Sequence, residues 1–192
     1  MISNQEKAQK YSTYIKRFQK AKEQKFYLEA MWILYAIIED RTSAFLYHIG
    51  FTQEENRNKV TGRKAIKKDV REILDITTQR SYGFKGLSSK LKNIKTILEW
   101  AQNVEPTTPF QEYLKKRLSQ INTEEFWLNI NYLDNVWRDK RNMLTHTLFS
   151  CKEISEEQLV ELLNTGFQSI RQFDQSVKVL KKVNIRKKFN IG

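Results

Sequence analysis

Two residues in the C-terminal half, Arg141 and His146, are of the types that hold anions and move protons near neutral pH. They lie five residues apart in Arg141-Asn142-Met143-Leu144-Thr145-His146. The arginine falls on an apolar stripe formed by Phe126, Ile130, Leu133, Trp137 and Leu144, whose steps of four, three, four and seven share one helix face. A guanidinium on such a stripe is costly unless it is paired or lines a polar cleft. Two readings stay open: a site residue facing a cleft, or an arginine that snorkels at a helix end or pairs with a buried carboxylate. Five residues turn a straight helix by about 140°. The two side chains therefore meet only if the helix ends or unwinds near Leu144, or if they meet across a dimer axis. Asn142, four residues before His146, shares its face, where it can bond the imidazole and fix its tautomer.

The elements that must position this pair all read as helices. There is no strand-like alternation and no internal repeat. Residues 5–24 place Tyr11, Tyr14, Ile15 and Phe18 on one face. Residues 26–48 are apolar nearly all round, through Met31, Trp32, Ile33, Leu34, Ile37 and Ile38, which predicts a central helix ended by Gly50. A polar loop over 53–63 precedes a helix marked by Ile66, Val70, Ile73 and Leu74. A loop at 81–86 precedes one marked by Leu87, Leu91, Ile94, Ile97 and Leu98. Thr108 before Pro109 starts another, carrying Phe110, Leu114 and Leu118. Thr123 caps the helix that bears the site, predicted to run to about Thr145. Ser155 with Gln158 makes a capping-box pattern and opens a final helix. Its stripe of Leu159, Leu162, Leu163, Gly166, Ile170, Phe173, Val177 and Leu180 is long enough that part is expected to face a second subunit. The whole is an all-α helical bundle, one domain over 1–192, with a basic tail at 184–192 read as mobile.

Composition narrows the function classes. At 192 residues and 40% hydrophobic content the chain can bury a real core. Its formal net charge of +12 favours polyanionic partners, nucleic acid first. With the single cysteine Cys151 there is no intramolecular disulfide, and a cytoplasmic location is expected. The longest strongly apolar run, 30–38, falls far short of the roughly 18 residues of a membrane span, and the polar N-terminus does not resemble a signal peptide. No glycine-rich phosphate loop, His-Glu-x-x-His, paired zinc ligands or nucleophile elbow is present, so neither a metal nor another cofactor is expected.

The string Arg141–His146 matches the Arg-x4–6-His signature of the HEPN superfamily, which the chain resembles. Asn142 is the polar residue favoured after the arginine in many members, and the motif ends a helix, with a short loop and an acidic-capped final helix beyond it. Arg138, with seven residues between it and His146, is too far for the motif. The motif itself spans only about 137–146, while the bundle likeness extends over most of the chain. The resemblance implies a bundle that dimerises, so that two copies of Arg141 and His146 line one composite cleft. It implies a metal-independent endoribonuclease in which the RNA 2′-hydroxyl attacks the adjacent phosphate. An imidazole would move the proton and a guanidinium would stabilise the extra negative charge. A toxin or antiviral role, with an antitoxin or nucleotide ligand as further partner, is implied by the same likeness. Some HEPN toxins carry a tyrosine two residues past the histidine, modified by a partner nucleotidyltransferase; Leu148 stands there, so modification at that position is not expected.

Other candidates carry blander readings. His48, beside Gly50, suits a helix C-terminus. Glu29 and Glu39-Asp40-Arg41 could supply an acidic partner to Arg141 across the bundle or pair locally. Three basic clusters could contact phosphates or form solvated faces. They are Lys59, Arg63, Lys64, Lys67, Lys68 and Arg71; Lys85, Lys90, Lys92 and Lys95; and Lys178, Lys181, Lys182, Arg186, Lys187 and Lys188. Lys64, Lys67, Lys68, Lys181 and Lys182 are taken as the RNA-contacting candidates. Beside the ribonuclease stand two alternatives: a non-catalytic HEPN-type module binding RNA or a nucleotide, and a structural helical oligomer with Arg141 as a buried ion-pair partner.

Overall fold

In the computed structural model the described residues are 4–74, 84–146 and 155–191. Residues 81–83 of the expected loop, Leu148 and Cys151 lie outside them, as do the side chains of Leu144, Thr145 and His146. The described residues are all-helical, apart from an isolated antiparallel bridge between Thr52 and Val60.

Helix α1 spans Asn4–Glu23, α2 Tyr27–His48, α3 Lys64–Ile73, α4 Leu87–Asn103 and α5 Pro109–Leu118. Helix α6 covers Glu124–Asn131 and passes through a π-helical segment, Tyr132–Trp137, into α7, Arg138–His146. Helix α8 is Glu156–Val183, and the short α9 is Ile185–Lys188. The caps form as their residue types require. Thr108 and Thr123 accept from the backbone N–H of Gln111 and Phe126, and Ser155 with Gln158 closes a capping box. The chain leaves α2 through Gly50, two residues past His48, and the glycine's φ of 85° suits a residue without a Cβ. A Cβ there would also lie 2.5 Å from Ile191 Cδ1.

Helix α2 is central, as its all-round apolar sequence predicts, packing on α1, α4 and α8. Its first half pairs with the start of α8 through Tyr27 and Glu156, its second half with Asp174 through Arg41, so the two run parallel. The α6–α7 rod runs antiparallel to both, because Phe126 stacks on Phe45 and Phe173 while Trp137 stacks on Tyr35. The α8 stripe from Leu162 to Leu180 is buried within its own bundle, while Leu159 at its start is half-buried. The basic tail is packed: Ile185, Arg186 and Ile191 are buried, and Arg186 donates to the carbonyls of Tyr47 and Thr52.

Candidate active site

Arg141 reaches its position through the π segment. A π turn bonds i to i+5 and so inserts an extra residue into the rod, turning the helix beyond it back by roughly 100°. Leu133, Asp134 and Trp137 are all buried along it. The adjacent Leu133 and Asp134 both face inward, where Asp134 accepts from Lys95 of α4 at 2.8 Å and from Arg138. The uniform helical stripe read from the sequence is therefore broken at its middle, and Asp134 is a buried carboxylate the stripe does not contain. Trp137 is fully buried, and Gly166 of α8 lies directly against its indole.

Arg141 faces α2, as the stripe predicts, and is half-buried. Its guanidinium carbon lies 4.2 Å from the Tyr35 ring centroid and 4.8 Å from that of Trp32. The rings meet edge to face at 6.0 Å, and Tyr35 is stacked in turn on Trp137 at 6.5 Å. The arginine thus sits over a short aromatic column, an arrangement worth roughly 0.5–2 kcal/mol per ring. Its Nη1 donates to Asn142 Oδ1 at 2.8 Å. Asn142 Oδ1 is thus engaged by the arginine, and the histidine ring it is expected to orient lies outside the described residues.

A polar group adjoins the column. Burial raises the Tyr35 hydroxyl above its ordinary pKa, the Glu39 carboxylate that accepts its hydrogen bond adds to the rise, and the Arg141 charge opposes it. Glu39 also accepts from Lys90 of α4 at 3.1 Å. Lys90 is 3% exposed. It belongs to this ion pair with the partly exposed Glu39 and not to a solvated basic face, which corrects the reading of its cluster. Lys95 (bound to Asp134) and the buried Arg186 leave their clusters for the same reason. Of the acidic candidates on α2, Glu29 pairs with Arg17 at 2.6 Å, and Asp40 with Arg41 and Tyr11. His48 closes α2, with Tyr47 edge-on at 5.2 Å.

The backbone is helical through His146, so the unwinding near Leu144 that would bring His146 to Arg141 within one chain is not there. The two positions stay about 140° apart around the axis. The lysines expected to touch RNA lie elsewhere. Lys64, Lys67 and Lys68 are on α3, which packs on α4 and α5, and Phe110 of α5 packs on Phe51 just past the end of α2. Lys181 and Lys182 are exposed at the end of α8, beyond Asp174, and so lie toward that same end. Trp32 and Tyr35 are in the first half of α2, about 20 Å along the axis from its end. Sequence reading missed the roles of Trp32 and Tyr35. Their three-residue spacing put them on one face, but nothing in their types distinguished an arginine platform from core.

Beside this column, α1 and α2 enclose a pocket of about 480 Å³, lined in part by Trp32. Comparison with protein-family models, curated proteins and solved structures finds no match for the chain.

Proposed function

We propose that the protein is a metal-independent endoribonuclease of HEPN type, acting as a homodimer in which Arg141 and His146 of two subunits share one cleft. The observation that carries this reading is Arg141 itself: half-buried, held over Trp32 and Tyr35, at the end of a helix that continues unbroken to His146. A regular helix keeps the two residues on different faces, which favours contribution in trans over an in-chain pair.

In the proposed reaction an imidazole takes the proton from the RNA 2′-hydroxyl. The 2′-oxygen then forms a bond to the adjacent phosphorus, and the bond to the 5′-oxygen breaks. That oxygen leaves with a proton from the second imidazole, while a guanidinium stabilises the added charge on the phosphoryl oxygens. Two-fold symmetry supplies both imidazoles from one histidine per chain. The products are a 2′,3′-cyclic phosphate and a 5′-hydroxyl. A toxin or antiviral role in the cytoplasm fits this chemistry, and the net charge of +12 fits an RNA partner.

The test is a labelled single-stranded RNA in EDTA beside a DNA of the same sequence. Cyclic-phosphate ends on the RNA and an intact DNA support the reading; cleavage of both, or a requirement for a divalent ion, refutes it. The pocket between α1 and α2 favours a second reading, a non-catalytic module that binds RNA or a nucleotide. In that case binding survives His146→Ala and no cleavage is seen.

A further inference from the structure

The α1/α2 pocket is walled by Tyr14 of α1 and by Trp32, Ala36 and Ile37 of α2. Tyr14 is 51% exposed and Trp32 is 53% exposed. Two large rings half open to solvent therefore stand on either side of an apolar concavity, while nearly all the other described aromatics are buried or partly buried. A volume of about 480 Å³ is in the range that encloses a small molecule or a single nucleotide. The rim is charged. Lys10 is exposed, with no partner among the described residues, and Arg17, also on the rim, is bound to Glu29.

Trp32 belongs to two structures at once. Its indole lines the pocket, and the same indole lies under the guanidinium of Arg141. A flat aromatic group in the pocket therefore lies within one side chain of the arginine that would hold a phosphate.

We propose that this pocket is a nucleobase subsite, in which a base of single-stranded RNA stacks on Trp32 and Tyr14 while its phosphate is held near Arg141 with Lys10 at the rim. The inference rests on the ribonuclease reading for the identity of the polymer, and it adds where one base is held. Stacking on aromatic faces is tolerant of sequence, so the subsite gives grip and register with little base preference. The aromatic walls suit a flat base and distinguish it from an acidic peptide or an aliphatic ligand. The rim's two carboxylates are engaged, Glu29 by Arg17 and Asp40 by Arg41 and Tyr11, which leaves Lys10 to meet the anionic backbone. The subsite also explains an exposed tryptophan on the most apolar helix of the chain.

The experiment measures binding apart from cleavage. A fluorescent single-stranded hexaribonucleotide, and the same hexamer with abasic sugars, are titrated by anisotropy into full-length protein carrying His146→Ala. Tyr14→Ala and Ala36→Glu are added in that background. Ala36 is exposed on α2, so its replacement places a carboxylate in the pocket without entering the core. Circular dichroism verifies the fold, and light scattering reports the oligomeric state. Each variant is expected to weaken hexamer binding roughly 5- to 100-fold, the range for loss of one base stack, and to leave the weak binding of the abasic oligomer unchanged. Equal binding by all three proteins overturns the subsite. A change in oligomeric state without loss of base-dependent binding also overturns it, and assigns the groove to a second copy of the chain. Base-dependent binding that falls as expected, in a protein whose wild type cuts no RNA, keeps the subsite and refutes only the ribonuclease. Cleavage by wild type, with pocket variants that bind as well as their His146→Ala parent, does the reverse.

Discussion

Replacing Gly166 by alanine isolates the contact on which the arginine platform rests. In the middle of a helix such a change ordinarily gains about 1 kcal/mol, because glycine is the poorer helix former. Here the added Cβ would lie 2.6 Å from both Cδ1 and Nε1 of Trp137 and 3.0 Å from Cδ2 of Leu34. Both neighbours are 0% exposed, so neither can swing into solvent. With both neighbours fixed, overpacking of this kind costs about 2–3 kcal/mol, the upper part of its usual range, and outweighs the gain in helix propensity. The expected net loss is about 1–2 kcal/mol, which for a chain of this size lowers Tm by roughly 2–8 °C. Because Trp137 is stacked on Tyr35, and Tyr35 lies under Arg141, a displaced indole should also disturb the platform. Urea unfolding of Gly166→Ala, Trp137→Phe and the double variant measures the coupling. The smaller ring should relieve the clash and give a coupling of about 0.5–3 kcal/mol. A Gly166→Ala protein as stable as wild type, or strict additivity in the cycle, would refute the reasoning.

Two carboxylates predict opposite dependence on pH. At Asp174 burial alone would raise the pKa, but hydrogen bonds from Lys178 and Arg41 outweigh it and leave the group below its ordinary 3.8. Its contribution is therefore present above that value and lost as pH falls through the lower, folded-state pKa. Asp174→Asn should lower stability at pH 7, and the gap from wild type should close in acid; a gap independent of pH would show that the charge is irrelevant. Asp69 is raised above its ordinary 3.8 chiefly by burial, against the opposing hydrogen bond from Thr108. Its charged form is disfavoured in the folded state, so stability is greatest below the ordinary value and declines as pH rises through the raised one. Asp69→Asn keeps an acceptor for Thr108 and should be at least as stable as wild type at pH 7, with no advantage below about pH 4. A large loss at pH 7 would mean that the ionised form is the one the site requires.

Much of the architecture was legible because helix signals are local. The threonine and serine caps, the apolar periodicity and Gly50 each depend on a few neighbouring residues, and they placed the starts of α5, α6 and α8 and both ends of α1 and α2 within a residue or two. The inward turn of Arg141 was legible from its spacing to Trp137. The π segment was not, since the inserted residue shows only when Asp134 meets Lys95 of α4, 39 positions away. Lys90 reads as one more surface lysine until Glu39 is found beside it. Whether an aromatic is core or platform depends on what covers it. No periodicity in α2 could say that Trp32 stands open beside a pocket while Leu34 is fully buried.

The most direct test of the central claim is cleavage of labelled single-stranded RNA in EDTA by wild type beside His146→Ala, with both proteins shown to be folded. Cutting by wild type to 2′,3′-cyclic phosphate ends, and none by the variant, is the predicted result. Equal cutting by both proteins, or by neither across a broad panel of RNAs, would contradict it.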